Sequence, residues 1–186
     1  MSRPARTLLL IGGARSGKSR LAVDLAHGWD RPVTFVATAT AGDDDMAARI
    51  DRHRAERPAE WQTVEAATGL VGALRDIDAK RGVVIDCITL WVTNEMLAGV
   101  GHDAIITQAD AMAAALAVRP APSVVVTNEV GSGVVPATAS GREFRDLLGG
   151  VNRMLADRLD ASYLVVAGQL VELHRPHSVF DGLGPS

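Results

Sequence analysis

Short apolar runs rich in β-branched residues punctuate this chain at residues 7–11, 33–37, 83–86, 123–127 and 162–167. Val83-Val84-Ile85 and Val124-Val125-Val126 do not alternate with polar positions. Runs of that kind suit strands buried on both faces, as in a parallel sheet. The segments between them repeat at helical spacing. Leu70, Leu74 and Ile77 form one stripe, Ile105, Ala109, Met112 and Leu116 a second, and Phe144, Leu147, Leu148, Val151 and Leu155 a third. Strands alternating with helices predict an α/β, three-layer domain with a mainly parallel central sheet. The pattern shows no internal repeat and no linker, so residues 1–186 read as one domain. Residues 98–102 and 128–141 read as loops, the second rich in Gly, Pro, Ser and Thr. From about residue 174 to 186 the periodicity fades into an expected tail.

Composition narrows the class. With 47% hydrophobic residues the chain can bury a substantial core, and a net charge of -3 gives no electrostatic case for nucleic acid. One cysteine, Cys87, excludes an internal disulfide and suits a reducing compartment. The apolar run near the start spans only residues 8–11, too short for a secretory signal. No stretch approaches the roughly 18 apolar residues of a membrane span. These features together predict a cytoplasmic protein.

The chemistry begins where the first strand ends. Gly12-Gly13-Ala14-Arg15-Ser16-Gly17-Lys18-Ser19 fits the phosphate-binding pattern G-x-x-x-x-G-K-[ST], between a strand candidate and a helix candidate. Glycines let backbone N–H groups turn inward around a phosphate, and the helix that follows offers its positive end. Lys18 is placed to reach the β and γ phosphates of ATP or GTP, and the Ser19 hydroxyl to ligate Mg²⁺. A second acidic element is expected at the end of another buried strand, and Val83-Val84-Ile85-Asp86 has that form. Asp86 is then the second Mg²⁺ candidate, directly or through water. The prediction is a P-loop NTPase (RecA-like) fold and an enzyme of phosphoryl or nucleotidyl transfer.

The cradle alone names no substrate. The base-reading N-K-x-D motif of switch GTPases is missing, since Asn128 is followed by Glu129. Residues 43–57 read as a helix with acids in its first turn, which the macrodipole favours, ending at Pro58. Helical spacing brings Met46, Ile50, His53 and Arg57 near one face. Ala37, Thr38 and Ala39 lie at the end of the second strand, next to the P-loop, in reach of nucleotide. Residues 128–133 follow a buried strand and should face the same sheet edge, touching a bound ligand or merely turning the chain. Trp29, Trp61 and Trp91 read as packing residues.

Several of these pieces, in this order, resemble the bifunctional adenosylcobinamide kinase / adenosylcobinamide-phosphate guanylyltransferase family of cobalamin biosynthesis. The matching pieces are residues 12–19, Ala37-Thr38-Ala39, and the histidine helix at 44–54. Arg57-Pro58 with Trp61, then Glu65, follow. Asp86-Cys87-Ile88-Thr89, Val92-Thr93-Asn94, residues 126–131, and Phe144-Arg145-Asp146 with Val151-Asn152 complete the set. The resemblance covers roughly residues 8–173. It implies two reactions. The first moves the γ-phosphoryl of ATP or GTP to adenosylcobinamide. The second attaches GMP from GTP to the adenosylcobinamide phosphate, through a GMP-histidine intermediate, giving adenosylcobinamide-GDP.

On this resemblance His53, the only histidine of its helix, is the nucleophile and Lys18 its catalytic companion in the P-loop. Some family members carry a His-His pair where this chain has Arg52-His53. Arg49, Arg54 and Arg57 would hold phosphate oxygens, with Arg54, Ala55, Glu56, Arg57 and Glu65 assigned to the nucleotide. The family also implies a homotrimer whose subunit contacts complete the site. Two alternatives stay open on the residues themselves: a P-loop kinase of another small metabolite with a structural His53, and a nucleotide-binding module without chemistry.

Overall fold

The computed structural model describes residues 5–42, 44–55 and 57–176, without the side chains of residues 45, 46 and 49. Glu56, assigned above to the nucleotide, and the end of the expected tail, 177–186, lie outside the described residues. The strands are β1 (Thr7–Gly12), β2 (Val33–Ala37), β3 (Gln62–Glu65), β4 (Gly82–Asp86), β5 (Ser123–Asn128), β6 (Ala161–Val166) and β7 (Gln169–Leu173). The helices are α1 (Lys18–His27), α2 (Asp44–Ala55), α3 (Leu70–Asp76), α4 (Ile88–Leu97), α5 (His102–Ala117) and α6 (Ala139–Arg158).

The strands form one sheet in the order β3-β2-β4-β5-β1-β6-β7, parallel throughout except for the β6–β7 hairpin. The unbroken apolar runs explain themselves here. On one face Leu9, Val36, Val83, Ile85 and Val125 pack under α3, α4, α5 and α6. On the other, Leu10, Phe35, Val84, Val124 and Val126 pack against Ala22 and Ala26 of α1. Each central strand therefore supplies apolar side chains to both faces, which makes three layers. The predicted stripe Ile105, Ala109, Met112 and Leu116 is completely buried on α5. Trp91 is buried as well, its Nε1 donating to Glu95 Oε1 at 3.0 Å, and that oxygen also accepts from the Gly69 N–H at 3.2 Å.

Three elements were not expected from the pattern. β3 is four residues, Gln-Thr-Val-Glu, on the sheet edge, where a strand needs little apolar content. β7 is exposed at every position and is defined by its turn, with Ala167 at φ 50 and Gly168 at φ 76. Ala167, expected to end the last of the five apolar runs, sits in that turn instead. α4 buries Ile88, Thr89, Trp91, Val92 and Glu95, so it shows no single apolar stripe.

Backbone closeness at the sheet centre fixes one glycine. A Cβ on Gly12 would lie 2.3 Å from the Val165 carbonyl oxygen of neighbouring β6. Gly12→Ala should force the strands apart and destabilise the fold by about 1–3 kcal/mol. Thermal unfolding is the check, with Tm lowered by roughly 3–10 °C; an unchanged Tm would show that the strands part without cost.

Candidate active site

Every parallel strand ends on the same edge of the sheet, where α/β proteins bind ligands. The segment from Gly12 to Ser19 lies there, in a loop with Arg15 at φ 58 and Gly17 at φ 98. Position 17 thus has the left-handed backbone that glycine adopts at least cost. The loop is tied at both sides: the Ser16 N–H donates to the Gly13 carbonyl at 3.3 Å, and the Gly168 N–H of the β6–β7 turn donates to the Ser16 carbonyl at 2.9 Å. Lys18, only 6% exposed, folds its Nζ over the loop and donates to the Gly13 carbonyl at 2.6 Å and to Ser16 Oγ at 3.3 Å.

β4 delivers Asp86 beside this loop. Burial pushes its carboxyl above the ordinary range, opposed by a hydrogen bond with Ser19 and by the nearby charges of His53, Arg57 and Lys18. A buried carboxylate joined to a serine hydroxyl is a pair of hard oxygen donors, the set that Mg²⁺ takes from protein when phosphates supply the rest. The residues present therefore fit the metal. The next residue, Cys87, has its thiol pushed up to about 11 by burial and by Asp86, which makes it a poor nucleophile. The Asp86–Cys87 peptide is cis.

Thr38 is completely buried and clamps that peptide region. Its hydroxyl donates to the Cys87 carbonyl at 2.7 Å and accepts from the Cys87 N–H at 2.8 Å. Asn94 Nδ2 donates to the Thr38 carbonyl at 2.8 Å and to the Ala67 carbonyl at 3.1 Å. The hydroxyl of Thr38 is thus spent on the chain itself.

Helix α2 crosses above these strand ends. His53 Nδ1 stands 3.9 Å from Asp86 Oδ2, with the carboxylate side chain 10% exposed and the imidazole 29%. Just past the helix, Arg57 lays its guanidinium 3.7 Å from the Phe35 ring centroid. Burial lowers its pKa, against the pull of Asp86, and its buried Nε has no hydrogen-bond partner among the described residues. Arg54 Nη2 and Glu65 Oε1 pair at 2.7 Å on the exposed side.

Two cavities meet at His53. The larger, about 440 Å³, is lined by residues 14–20 with Arg52, His53, Asp86, Cys87, Val126 and Asn128. The smaller, about 60 Å³, runs under α2 between Ala37, Ala39, Ile50, Arg54, Arg57, Glu65 and Leu90. Ser19, His53, Asp86 and Cys87 belong to both. The fold thus gathers most of the predicted residues around one opening. Ala55 is on the exposed face of α2. The loop after β5 abuts the P-loop, with the Glu129 N–H donating to the Gly12 carbonyl at 3.0 Å. Sequence reasoning gave no role to Arg20 or Arg52, which add cations to the larger cavity, nor to Leu90 or Asn94. For Arg52 the signal is its place beside His53, and for Asn94 the Val92-Thr93-Asn94 piece of the resemblance; Leu90 has none, because α4 carries no apolar stripe.

Residues 8–173 match the family model described as cobinamide kinase / cobinamide phosphate guanyltransferase. The bifunctional adenosylcobalamin biosynthesis protein CobP of Pseudomonas aeruginosa is 40% identical over 161 residues, 86% of this chain and 92% of the relative. The bifunctional adenosylcobalamin biosynthesis protein CobU of Escherichia coli (strain K12) is 41% identical over 175 residues, 87% of this chain and 96% of the relative. Among solved structures, the assembled ATPase EscN of the enteropathogenic E. coli type III secretion system superposes with a TM-score of 0.56 at 10% identity. That match covers 88% of this chain and 43% of EscN, and at such identity it shows a shared fold alone.

Proposed function

The chain belongs to the cobinamide kinase / cobinamide phosphate guanyltransferase family, and on that premise we propose that its one P-loop region serves both transfers, with His53 carrying GMP from GTP to the phosphorylated acceptor in the second. The protein is a bifunctional transferase of adenosylcobalamin biosynthesis. The observation that carries the proposal is the shared lining: His53 borders the same cavity as residues 14–19.

In the kinase step Lys18 and the loop N–H groups of residues 13–19 hold the triphosphate of ATP or GTP, and the γ-phosphorus faces the hydroxyl of adenosylcobinamide. Ser19 and Asp86 would hold Mg²⁺, which supplies charge neutralisation on the phosphates. In the guanylyl step the α-phosphorus of GTP meets His53, and Arg52 and Arg57, which line the two cavities, offset charge on its oxygens. The two steps need different atoms of the triphosphate at the same opening, so either the nucleotide or α2 shifts between them. Glu65, with Ala37 and Ala39, lines the smaller cavity and is assigned to the guanine nucleotide. Thr38 acts from beneath, by holding the Cys87 peptide. The enzyme works in the cytoplasm as a homotrimer whose subunit contacts complete the site. Among the described residues no helix is long and apolar enough to cross a membrane.

Incubation of the pure protein with Mg²⁺ and GTP labelled at the α-phosphorus tests this reading. An acid-labile, base-stable label on protein is expected, and adenosylcobinamide phosphate should discharge it. Absence of label would leave the phosphoryl transfer in place and remove the covalent route.

A further inference from the structure

A histidine attacks phosphorus through one of two ring nitrogens, and the nitrogen that lacks the proton is the one with a lone pair to offer. The surroundings of His53 distinguish them. Nδ1 lies 3.9 Å from Asp86 Oδ2. Apart from Asp86 and Glu65, the charged residues that line the two cavities with it are cations, Arg15, Lys18, Arg20, Arg52, Arg54 and Arg57, none of which accepts a proton. The remaining carboxylate, Glu65, is engaged with Arg54 at 2.7 Å. Asp86 is itself fixed, being the last residue of β4, in register with Ala37 of β2 and joined to Ser19. Catalytic contacts are commonly long before ligands bind, and about 1 Å of closure by α2 brings this pair into hydrogen-bond range.

We infer that Asp86 is a positioning residue for His53: its carboxylate holds the ring proton on Nδ1, so that Nε2 is the atom to which GMP becomes attached. This rests on the reading of His53 as the GMP carrier. The Nε2 lone pair forms the N–P bond to the α-phosphorus while the bond from that phosphorus to the bridging oxygen breaks, and pyrophosphate leaves with the pair. The ring then carries a positive charge, its proton still on Nδ1 beside the carboxylate. In the second displacement a phosphate oxygen of the phosphorylated acceptor bonds to the same phosphorus, and the N–P pair returns to Nε2. A carboxylate that orients an imidazole through Nδ1 is a recurring arrangement in nucleophilic and metal sites. Here one side chain borders the P-loop serine on one side and the nucleophile on the other, which ties the two transfers to one residue.

Two readouts test the assignment without relying on turnover. In protein labelled with ¹⁵N-histidine, free of nucleotide and metal, long-range ¹H–¹⁵N spectra of the neutral ring should place the His53 proton on Nδ1. In Asp86→Ala and Asp86→Asn it should move towards Nε2, since alanine accepts nothing and an amide can donate to Nδ1. Asp86→Asn keeps the side-chain volume if alanine does not fold. The second readout is the labelled intermediate formed from GTP and Mg²⁺ without acceptor: its phosphorus should couple to Nε2. Phosphorus on Nδ1, or an Nδ1–H form that persists in both variants, would overturn the assignment while leaving the GMP-histidine intact. No phosphorus on histidine at all would overturn the carrier reading, and this inference with it.

Discussion

Replacing His53 by alanine is expected to abolish the covalent GMP label and to lower guanylyl transfer by on the order of 10⁴-fold, because no other group takes over a lost nucleophile at comparable rate. Phosphoryl transfer to adenosylcobinamide should fall by less than about tenfold, since that step asks nothing of an imidazole and rests on positioning and charge at the γ-phosphate. The contrast between the steps carries the information. His53 is exposed over 29% of its side chain, so truncation opens no cavity in the core and the variant should fold normally. Retention of label in His53→Ala would move the nucleophile elsewhere, and of the remaining described histidines His27, His102 and His174 none lines either cavity. Equal loss of both activities would instead mean that α2 had shifted and that His53 matters for shape.

Replacing Lys18 by alanine should lower kcat/KM for phosphoryl transfer by on the order of 10²- to 10³-fold, about 3–4 kcal/mol of transition-state stabilisation. Lys18 is 6% exposed, and its ammonium rests on the Gly13 carbonyl at 2.6 Å, poised to exchange that partner for a phosphate oxygen. Lys18→Arg should recover little, because a planar fork does not replace a compact charge within a closed loop. The same substitution probes whether the two reactions share the triphosphate site. If they do, the rate at which label appears from α-labelled GTP falls along with the kinase. GMP-histidine formation at the wild-type rate in Lys18→Ala would assign the guanylyl step to a separate nucleotide position.

The stretches that are physically self-sufficient were legible in the sequence. Unalternating runs such as Val83-Val84-Ile85 can only be satisfied by burial on both faces, and the sheet places Val83 and Ile85 on one side and Val84 on the other. The P-loop is equally local, since its glycines, Lys18 and Ser19 lie within eight consecutive positions, and backbone conformation with short side-chain reach decides their arrangement. Asp86 was found because it closes such a run. The histidine helix was legible through its acids, its spacing and its resemblance to a known family.

Tertiary structure alone decided the rest, because those features depend on neighbours distant in the chain. Edge strand β3 exists only because β2 offers a partner, from Thr34 paired with Gln62 to Ala37 paired with Glu65. Thr38, read as a nucleotide contact, has its hydroxyl engaged with Cys87, 49 positions away. Asn94, on a helix without an apolar stripe, ties the carbonyls of Thr38 and Ala67 together. The approach of His53 to Asp86, 3.9 Å between Nδ1 and Oδ2, joins a helix residue to a strand end 33 positions away, and no spacing in the sequence contains that distance. The chain by itself determined which chemistry is available, since residue types and local turns carry it; packing determined which nitrogen, carboxylate and cation face each other, since those relations arise only once separate strands share one edge.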